Sequence, residues 1–315
     1  MTPLVWHKQG LVFDAPAVPW IGSHAQNPTP LVLDDRIRVF CNVRPPRDAD
    51  GQYRARVAYV DLDRADPTRL LGVSEGPVLA LGRRGEFDEF GTMVQGLTRH
   101  PDTGELWMYY VGWTRKVSVP FDWAIGLAIS RDGGKSFERH GTGPVIGATP
   151  DEPFLHACPH VRREGGLWHM WYGAGIEWQS EDIEPIYRLF HATSTDGIAW
   201  RREGRPFLPL AVDDECQTTP SVFRRDGRWM MLFSYRYGTD FRSADRGYRI
   251  GCAVSDDLCH WTRRDDLAGL APSPTGWDSG MVAYPAVLQD GDRTWLFYCG
   301  DDFGAAGFGL ALSEG

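Results

Sequence analysis

Five copies of one strand pattern divide the chain of 315 residues. Each copy opens on a short apolar strand, and these strands align, with spacings of 65, 64, 61 and 65 residues, on Pro30, Gln95, Pro159, Pro220 and Pro285. An aromatic strand and a small, β-branched strand follow in every copy, as in LWHMWYG (167–173) and RLFHATS (188–194). Repeats built from several short strands are typical of propeller blades. The sequence therefore predicts an all-β fold, a five-bladed β-propeller.

The first strand of the chain is predicted to close this ring. Three copies continue into a fourth strand, whereas the fifth copy reaches Ser313 without one. The segment VWHKQGLVF (5–13) has the features of that fourth strand: an aromatic residue, a basic residue pair, a glycine and an apolar run. Pairing it with the last copy would cover two sheet edges that otherwise stay open. We expect residues 1–315 to form a single propeller domain.

Composition argues against several classes of partner. The net charge of −9 disfavours nucleic acid and anionic membranes, which both need a basic face. The segment MTPLVWHKQG lacks the apolar core of a secretory signal, and no apolar run approaches the length of a membrane span. The six cysteines show no CxxC spacing. We expect a cytoplasmic protein with reduced thiols and no nucleic-acid or membrane partner, and the oligomeric state stays open.

The predicted topology brings the polar loops to one end of the ring. The innermost strand of a blade starts, and the second strand ends, at the same face, so the adjoining segments converge on one funnel. These segments are rich in charged and aromatic residues, as in FDEFGT (87–92), DDECQT (213–218) and SYRYGTDFR (234–242). We expect a small ligand in this funnel, no cofactor and no dedicated metal motif. A channel-bound ion such as calcium is compatible with the sequence.

The register of the repeats separates structural acids from candidate functional ones. Asn27, Thr92, His156, Gln217 and Val282 share one register position and are expected to ring the channel mouth. Four residues earlier an acid recurs in four copies, as Asp88, Glu152, Asp213 and Asp278. Recurrence favours a structural role for such an acid, above all for Asp278. The acids without a counterpart are stronger catalytic candidates, namely Glu89, Asp151, Glu177 and Glu215.

The repeat pattern resembles the five-bladed glycoside hydrolases of families 43, 32, 68 and 130 over essentially the whole chain. Runs such as WDSGMVAYPAVLQDGDRTWLFYCG and CPHVRREGGLWHMWYGAG carry this resemblance. It implies a glycan- or glycoside-active enzyme that uses carboxylates in the funnel. The catalytic motifs depart from the family pattern, because Asn27 or Thr29 stands where a first-blade acid is expected. Ala157 likewise replaces the acid of a Glu-Cys-Pro motif.

Two hypotheses follow. In the first, two carboxylates at positions other than those of the family motifs cleave a glycoside. The two groups would lie about 5–5.5 Å apart in an enzyme that retains the anomeric configuration, or about 6.5–9.5 Å apart in one that inverts it. The preferred pair is Glu215 as general acid with Asp88 or Glu89 as base or nucleophile, and Asp151 or Glu152 is the alternative. In the second hypothesis, the ring is a catalytically diverged sugar-binding propeller, or a glycoside phosphorylase acting on a small intracellular sugar.

Both hypotheses use the same predicted binding residues: His24, Asn27, His156, Gln217, Trp113, Trp178, Arg236 and Tyr284. The aromatic residues would stack on a sugar face, with core packing as their alternative role. Arg236 would bind a carboxylate or phosphate on the substrate, with an ion pair to a neighbouring acid as its alternative. A phosphorylase needs a basic anion site, for which the candidates are Arg44, Arg115, Lys116 and Arg236.

Overall fold

Five antiparallel sheets of four strands each form a closed ring. The coordinates are those of a computed structural model, which describes residues 1–49, 51–179 and 183–313. The innermost strands of the five sheets contact one another in a complete cycle, so no blade is left without two neighbours. The five-bladed β-propeller predicted from the repeat is confirmed.

Each blade has its four strands in chain order from the channel outward, except that the last blade takes its outermost strand from the start of the chain. Blade 5 therefore includes β1 (Trp6–Asp14). Blade 1 consists of β2 (Ser23–Val32), β3 (Arg36–Arg44), β4 (Arg56–Asp63) and β5 (Leu70–Val73). Blade 2 consists of β6 (Gly91–Arg99), β7 (Leu106–Thr114), β8 (Asp122–Ser130) and β9 (Glu138–Arg139).

The other three blades complete the ring. Blade 3 consists of β10 (His156–Glu164), β11 (Leu167–Trp178), β12 (Pro185–Ser194) and β13 (Arg201–Pro206). Blade 4 consists of β14 (Cys216–Arg225), β15 (Arg228–Arg236), β16 (Arg249–Ser255) and β17 (Thr262–Arg263). Blade 5 adds β18 (Ala283–Asp290), β19 (Arg293–Cys299) and β20 (Gly307–Ser313) to β1. Single helical turns occur at Ala15–Ala17, Asp265–Leu267 and Asp301–Gly304.

Strand β1 closes the ring as the sequence predicts. It pairs with β20 from Trp6, opposite Ser313, to Asp14, opposite Gly307. The indole of Trp6 is buried, and its Nε1 donates to the Ala268 carbonyl oxygen at 2.9 Å. The pairing supplies backbone partners to an edge of β20 that would otherwise be open.

A β-bulge interrupts the innermost strand of four blades just before a proline. Two residues there oppose one residue of the second strand, and the first of the two has positive φ: Asn27, Cys158, Thr219 and Tyr284. The proline aligned with Pro159 is therefore Pro28, because Pro30 already lies in regular pairing with Val39. The predicted register of blade 1 was wrong by two residues. Ala25, not Asn27, matches His156, so this register position holds two apolar residues, Ala25 and Val282.

Aromatic side chains and buried hydrogen bonds join neighbouring blades. The Trp107 and Trp168 rings of blades 2 and 3 stack with their centroids 5.7 Å apart. The side chain of Asn42 in blade 1 accepts from Val94 N at 2.6 Å and donates to Val94 O at 3.0 Å, next to the register shift between Val94 and Gly96 in β6 of blade 2. All six cysteines are free thiols, and five of them are buried. In the part of the chain that the structure describes, no helix is long and apolar enough to span a membrane.

Candidate functional site

A cavity of about 180 Å³ occupies the funnel at the predicted end of the ring. All five blades contribute to this funnel cavity, whose lining includes Asn27, Arg44, Trp113, Trp123, Tyr187, Arg236, Tyr248 and Tyr284. Asn27 also lines the channel that opens at the opposite end, and it donates a hydrogen bond to Gln95 Oε1. Asn27 therefore lies at the constriction between the funnel and the channel.

Arg236 places a buried guanidinium in the wall of the funnel cavity. Arg236 is the last residue of β15 and is only 3% exposed. Its Nε donates to Tyr187 Oη at 3.1 Å, and its Nη1 donates to the Tyr237 carbonyl oxygen at 2.7 Å. The Phe241 ring covers it, with the centroid 3.6 Å from Cζ. These partners are neutral, and no carboxylate in residues 1–49, 51–179 or 183–313 pairs with Arg236.

Two further arginines reach the cavity. Arg44 is partly buried, burial lowers its pKa, and its Nη2 lies 3.5 Å from Gln26 Oε1. Among the described side chains, Arg44 also has no carboxylate partner. Arg242 pairs with Glu184 at 2.9 Å, and Glu184 is the only carboxylate in the described lining. Glu181 and Asp182 lie outside the described residues. The described part of the lining therefore carries more positive than negative charge.

One wall of the funnel cavity is aromatic. Phe121 and Trp123 stack at 4.6 Å, and Trp113 approaches both rings, at 4.9 and 5.0 Å. The indole nitrogens of Trp113 and Trp123 are buried and have no hydrogen-bond partner within the described structure. Buried indole N–H groups usually have one. These two are therefore available to an acceptor on a ligand or to water.

Three phenols complete the cavity lining. Burial raises the pKa of Tyr187, Tyr248 and Tyr284, so each hydroxyl stays protonated at neutral pH. Tyr187 and Tyr248 share a hydrogen bond between their hydroxyls, next to Arg236. The site thus combines fixed positive charge, neutral hydroxyl donors and flat apolar faces.

The recurrent acids lie inside the blades and not in the cavity lining. In each of four blades a buried carboxylate from the loop before the innermost strand meets a basic residue of the outermost strand. We call this pair the acid brace. The four braces are Asp88–Arg139 at 2.7 Å, Glu152–Arg202 at 3.3 Å, Glu215–Arg263 at 2.7 Å and Asp278–Lys8 at 2.6 Å.

The braces share further features. A tyrosine hydroxyl of the second strand donates to the carboxylate in three of them, from Tyr110, Tyr172 and Tyr298. The basic residue always lies opposite an alanine of the third strand: Ala128, Ala192, Ala253 and Ala311. A small residue at that position leaves room for the long basic side chain to cross the sheet. The sequence alignment predicted this recurrence and a structural role for Asp278.

Glu215 occupies the brace position of blade 4, although the alignment gave that position to Asp213. The carboxylate is fully buried and accepts from Ala211 N at 2.7 Å, from Gln217 Nε2 at 2.8 Å and from Arg263. Because the brace acid of blade 4 lies two residues nearer to its aligned proline than those of blades 3 and 5, counting residues back from the strand reached the wrong acid. Glu215 therefore corresponds to Asp88, Glu152 and Asp278, although the sequence alignment treated it as an acid without a counterpart.

None of the predicted catalytic acids lines the funnel cavity. Asp88, Glu152 and Glu215 belong to braces, Glu89 accepts from Gly85 N at 2.7 Å within its own loop, and Asp151 is exposed. Burial opposes ionisation of Glu152, but hydrogen bonds from His156 and Tyr172 and the charge of Arg202 outweigh it and lower its pKa. A general acid needs the opposite shift. The described lining offers no carboxylate pair.

Four of the eight predicted binding residues line the cavity, namely Asn27, Trp113, Arg236 and Tyr284. The other four lie elsewhere. His156 and Gln217 contact brace carboxylates, and the Trp178 ring packs behind the aromatic wall, 5.2 Å from Phe121. His24 contacts Ser23 Oγ at 2.9 Å, and burial, with Arg44 nearby, lowers its pKa to about 4.

Sequence reasoning missed Trp123, Tyr187 and Tyr248, which stand at or just before the start of a third strand. Because the third strand runs antiparallel to the second, it begins at the funnel. The aromatic residues in FDWAIG (121–126) and PIYRLF (185–190) were therefore a usable signal.

Two of the predicted anion-site residues, Arg115 and Lys116, lie outside the lining. Lys116 pairs with Asp122 at 2.7 Å, and Arg115 approaches Asp48 at 3.8 Å. The channel lining, within the described ranges, contains no carboxylate, which is the usual calcium ligand in proteins. The geometry thus adds no support for a channel-bound calcium ion.

The fold is a five-bladed β-propeller that resembles, in its structure, those of glycoside hydrolases. A glycoside hydrolase superposes with a TM-score of 0.77 and 18% identity, covering 99% of this chain and 92% of that chain. A structure described as showing that the GH130 family of mannoside phosphorylases contains glycoside hydrolases superposes with a TM-score of 0.72 and 16% identity, covering 99% and 94%. A thermostable family-43 glycoside hydrolase gives 0.65 and 16%, covering 92% and 89%.

The sequence relatives are more closely similar. Two proteins of Mycobacterium tuberculosis, the uncharacterized proteins MT1551 and Rv1502, are each 34% identical over 315 residues, which cover 99% of this chain and 100% of theirs. The chain belongs to the same family as these two proteins. No protein-family profile matches it.

Proposed function

We propose that the funnel cavity binds a small carbohydrate that carries a phosphate or carboxylate group. The observation that carries this proposal is Arg236, a buried guanidinium without a carboxylate partner in the described structure. A buried charge is costly unless an opposite charge neutralises it. An anionic ligand group would do so by accepting from Nη2, since Nε and Nη1 already donate to Tyr187, Tyr237 and Gly238. Arg44 supplies a second cation in the same cavity.

The aromatic wall favours a sugar as the rest of the ligand. Trp113, Phe121 and Trp123 offer flat faces for the C–H surface of a pyranose ring. The unpartnered indole N–H groups and the neutral phenols would hydrogen-bond its hydroxyls. A few polar groups on a mostly apolar wall are typical of small-molecule sites.

The size of the cavity limits the ligand. A volume of about 180 Å³ corresponds to roughly six water molecules. This space suits one sugar ring with its anionic group and leaves no room for a polysaccharide chain within the cavity. The proposed ligands are therefore sugar phosphates, sugar acids or small glycosides.

Phosphorolysis is the second candidate function, and Glu184 is the observation that favours it. Hydrolysis of a glycoside by the usual route needs two carboxyl groups, and the described lining offers Glu184 alone. In phosphorolysis a phosphate oxygen attacks the anomeric carbon, the glycosidic C–O bond breaks, and a single acid protonates the leaving oxygen. Arg44 and Arg236 would hold the phosphate. Glu184 would donate the proton once Arg242, its exposed ion-pair partner at 2.9 Å, has moved from the carboxylate to the anionic phosphate.

Ligand-induced thermal stabilisation tests the binding proposal. The probes are inorganic phosphate, a hexose 1-phosphate, a hexuronic acid and the neutral hexose. At a concentration about 100 times Kd, the anionic sugar should raise Tm by about 4 °C for a chain of this length. Arg236→Gln should abolish the shift, whereas Arg47→Gln, at an exposed arginine outside the cavity, should preserve it. Equal stabilisation by the neutral hexose, retained in Arg236→Gln, would contradict the proposal.

Product analysis tests phosphorolysis. A panel of disaccharides, including β-1,2-linked mannosides, is incubated with and without inorganic phosphate, and sugar 1-phosphate is measured. Turnover should require phosphate, and Glu184→Gln should lower it by about 100-fold or more, as expected for loss of a general acid. Glu177→Gln, at an exposed carboxylate near the end of β11, is the matched control. Release of free sugar without phosphate would instead favour hydrolysis.

A further inference from the structure

Two buried histidines and a cysteine converge between blades 3 and 4, outside the lining of the funnel cavity. His169 lies on β11, His191 lies on β12, and Cys259 lies in the turn after β16. His169 Nδ1 and His191 Nε2 are 3.2 Å apart, and these two atoms and Cys259 Sγ all lie within 4.8 Å of one another. The three residues come from distant segments, so no short motif marks them in the sequence.

Glu203 on β13 orients one of these rings. Its Oε1 lies 3.0 Å from Nδ1 of His191. A proton on Nδ1 satisfies this contact and leaves the lone pair of Nε2 facing His169 and Cys259. A carboxylate that hydrogen-bonds the far nitrogen of a ligating histidine is the usual outer support of a zinc ligand.

The spacing of the ring nitrogens fits a tetrahedral metal. Two Zn–N bonds of about 2.0–2.1 Å at a tetrahedral angle place the nitrogens roughly 3.3–3.4 Å apart. The observed 3.2 Å is close to that value. A thiolate with two imidazoles is also a donor set that zinc favours over calcium or magnesium.

The surroundings hold the three side chains in place and leave a path to solvent. The ring of Trp171 stacks on both histidines, at 5.7 and 5.5 Å. Asp257 accepts from the backbone N–H of Cys259 at 2.9 Å and thereby fixes its turn. A surface hollow lined by Cys259, Glu203 and Trp261 opens beside the cluster.

We propose that His169, His191 and Cys259 bind one Zn²⁺ ion that links blade 3 to blade 4. The fourth position faces the hollow and takes a water molecule. Binding releases the Cys259 thiol proton to solvent, because a coordinated thiol is deprotonated. The cation is held by parts of two blades in the folded protein only, so it stabilises the fold.

Cobalt substitution tests this site on the full chain. Chelator-treated protein is titrated with Co²⁺, which serves as the spectroscopic probe, and Zn²⁺ is then added as competitor. We expect one Co²⁺ per chain, a thiolate-to-cobalt charge-transfer band, and loss of that band on adding Zn²⁺. Zn²⁺ should also raise Tm.

Three variants sharpen the test. Cys259→Ser should lose the charge-transfer band. Glu203→Ala should weaken zinc binding by about 10- to 100-fold, because His191 loses the carboxylate that hydrogen-bonds its Nδ1. His260→Gln, at the exposed histidine next to Cys259, should bind zinc like the unaltered protein. Circular dichroism of each metal-free variant checks that it is folded.

Two results would overturn the proposal. One is the absence of a charge-transfer band in the unaltered protein, which would leave a hydrogen bond between His169 and His191 as the whole interaction. The other is equal zinc affinity in the unaltered protein and in the folded double variant His169→Gln/Cys259→Ser.

Discussion

Replacing Glu215 with glutamine distinguishes a structural carboxylate from a catalytic one. The substitution preserves size but removes the negative charge that faces Arg263 at 2.7 Å. It also replaces a carboxylate oxygen with an N–H donor, in a position where Ala211 N and Val212 N both donate to Oε2. Because Glu215 is fully buried, water cannot replace the lost interactions.

The expected loss of stability can be estimated from the brace. Removing one partner of a buried ion pair costs about 3–5 kcal/mol when the other charge is left unpaired. Because Arg263 keeps Asp265 as a partner at 2.8 Å, we expect the lower end of this range. For 315 residues, the entropy of unfolding is about 0.66 kcal/mol per kelvin. We therefore expect Glu215→Gln to lower Tm by about 5 °C.

Thermal unfolding followed by circular dichroism measures this effect. Glu89→Gln is the control, since its carboxylate lies in an exposed loop, and it should shift Tm by less than about 1 °C. The double variant Glu215→Met/Arg263→Met should lose less stability than Glu215→Gln, because an apolar pair leaves no buried charge. Asp265 also loses its ion pair with Arg263 in this variant, but its side chain is 30% exposed, so water can replace that partner.

A contrary outcome would restore the catalytic interpretation of Glu215. If Glu215→Gln melts within about 1 °C of the unaltered protein and loses turnover or ligand binding, the brace does not account for this residue. If the double variant is less stable than the single variant, the interaction is not the charge pair that the geometry indicates.

Two further predictions follow from the same physical arguments. Lys8→Met should lower Tm by about 2–5 °C, because Asp278 keeps only its hydrogen bond from Tyr298 and the closing strand loses a contact. Burial lowers the pKa of His24 from 6.5 to about 4, so between these pH values the unfolded chain binds a proton that the folded chain does not. The free energy of unfolding should therefore fall as the pH is lowered from 6.5 toward about 4. His24→Gln should reduce that slope by up to about 1.4 kcal/mol per pH unit, measured as urea unfolding across this range.

The sequence predicted the architecture because the repeat is long and regular. Five copies of an apolar, an aromatic and a small strand fix the number of blades, and VWHKQGLVF has the pattern of β1. The loops obey no such period. The segment NPTP of blade 1 contains two prolines, and the sequence alignment used Pro30 although Pro28 is the one that follows the bulge residue. A shorter loop moved the brace acid of blade 4 from Asp213 to Glu215.

The candidate site was predictable in part for the same reason. Arg236 directly ends an aromatic strand, so its place at the funnel follows from topology alone. That no acid among the described residues pairs with it could not be foreseen, because partners depend on how loops from different blades meet. The histidine and cysteine cluster also joins residues more than 60 positions apart, since His191 and Cys259 are brought together only by the packing of two blades.

The acid braces separate what holds a blade together from what faces the ligand. In four blades the buried pair lies within a single sheet and its own loop, so its energy does not depend on the side chains at the funnel. Residues at the rim of the funnel can therefore be substituted without weakening the acid braces that stabilise the blades. Such a frame is open to evolution one loop at a time, and new ligand specificities can arise on it while the propeller keeps its stability.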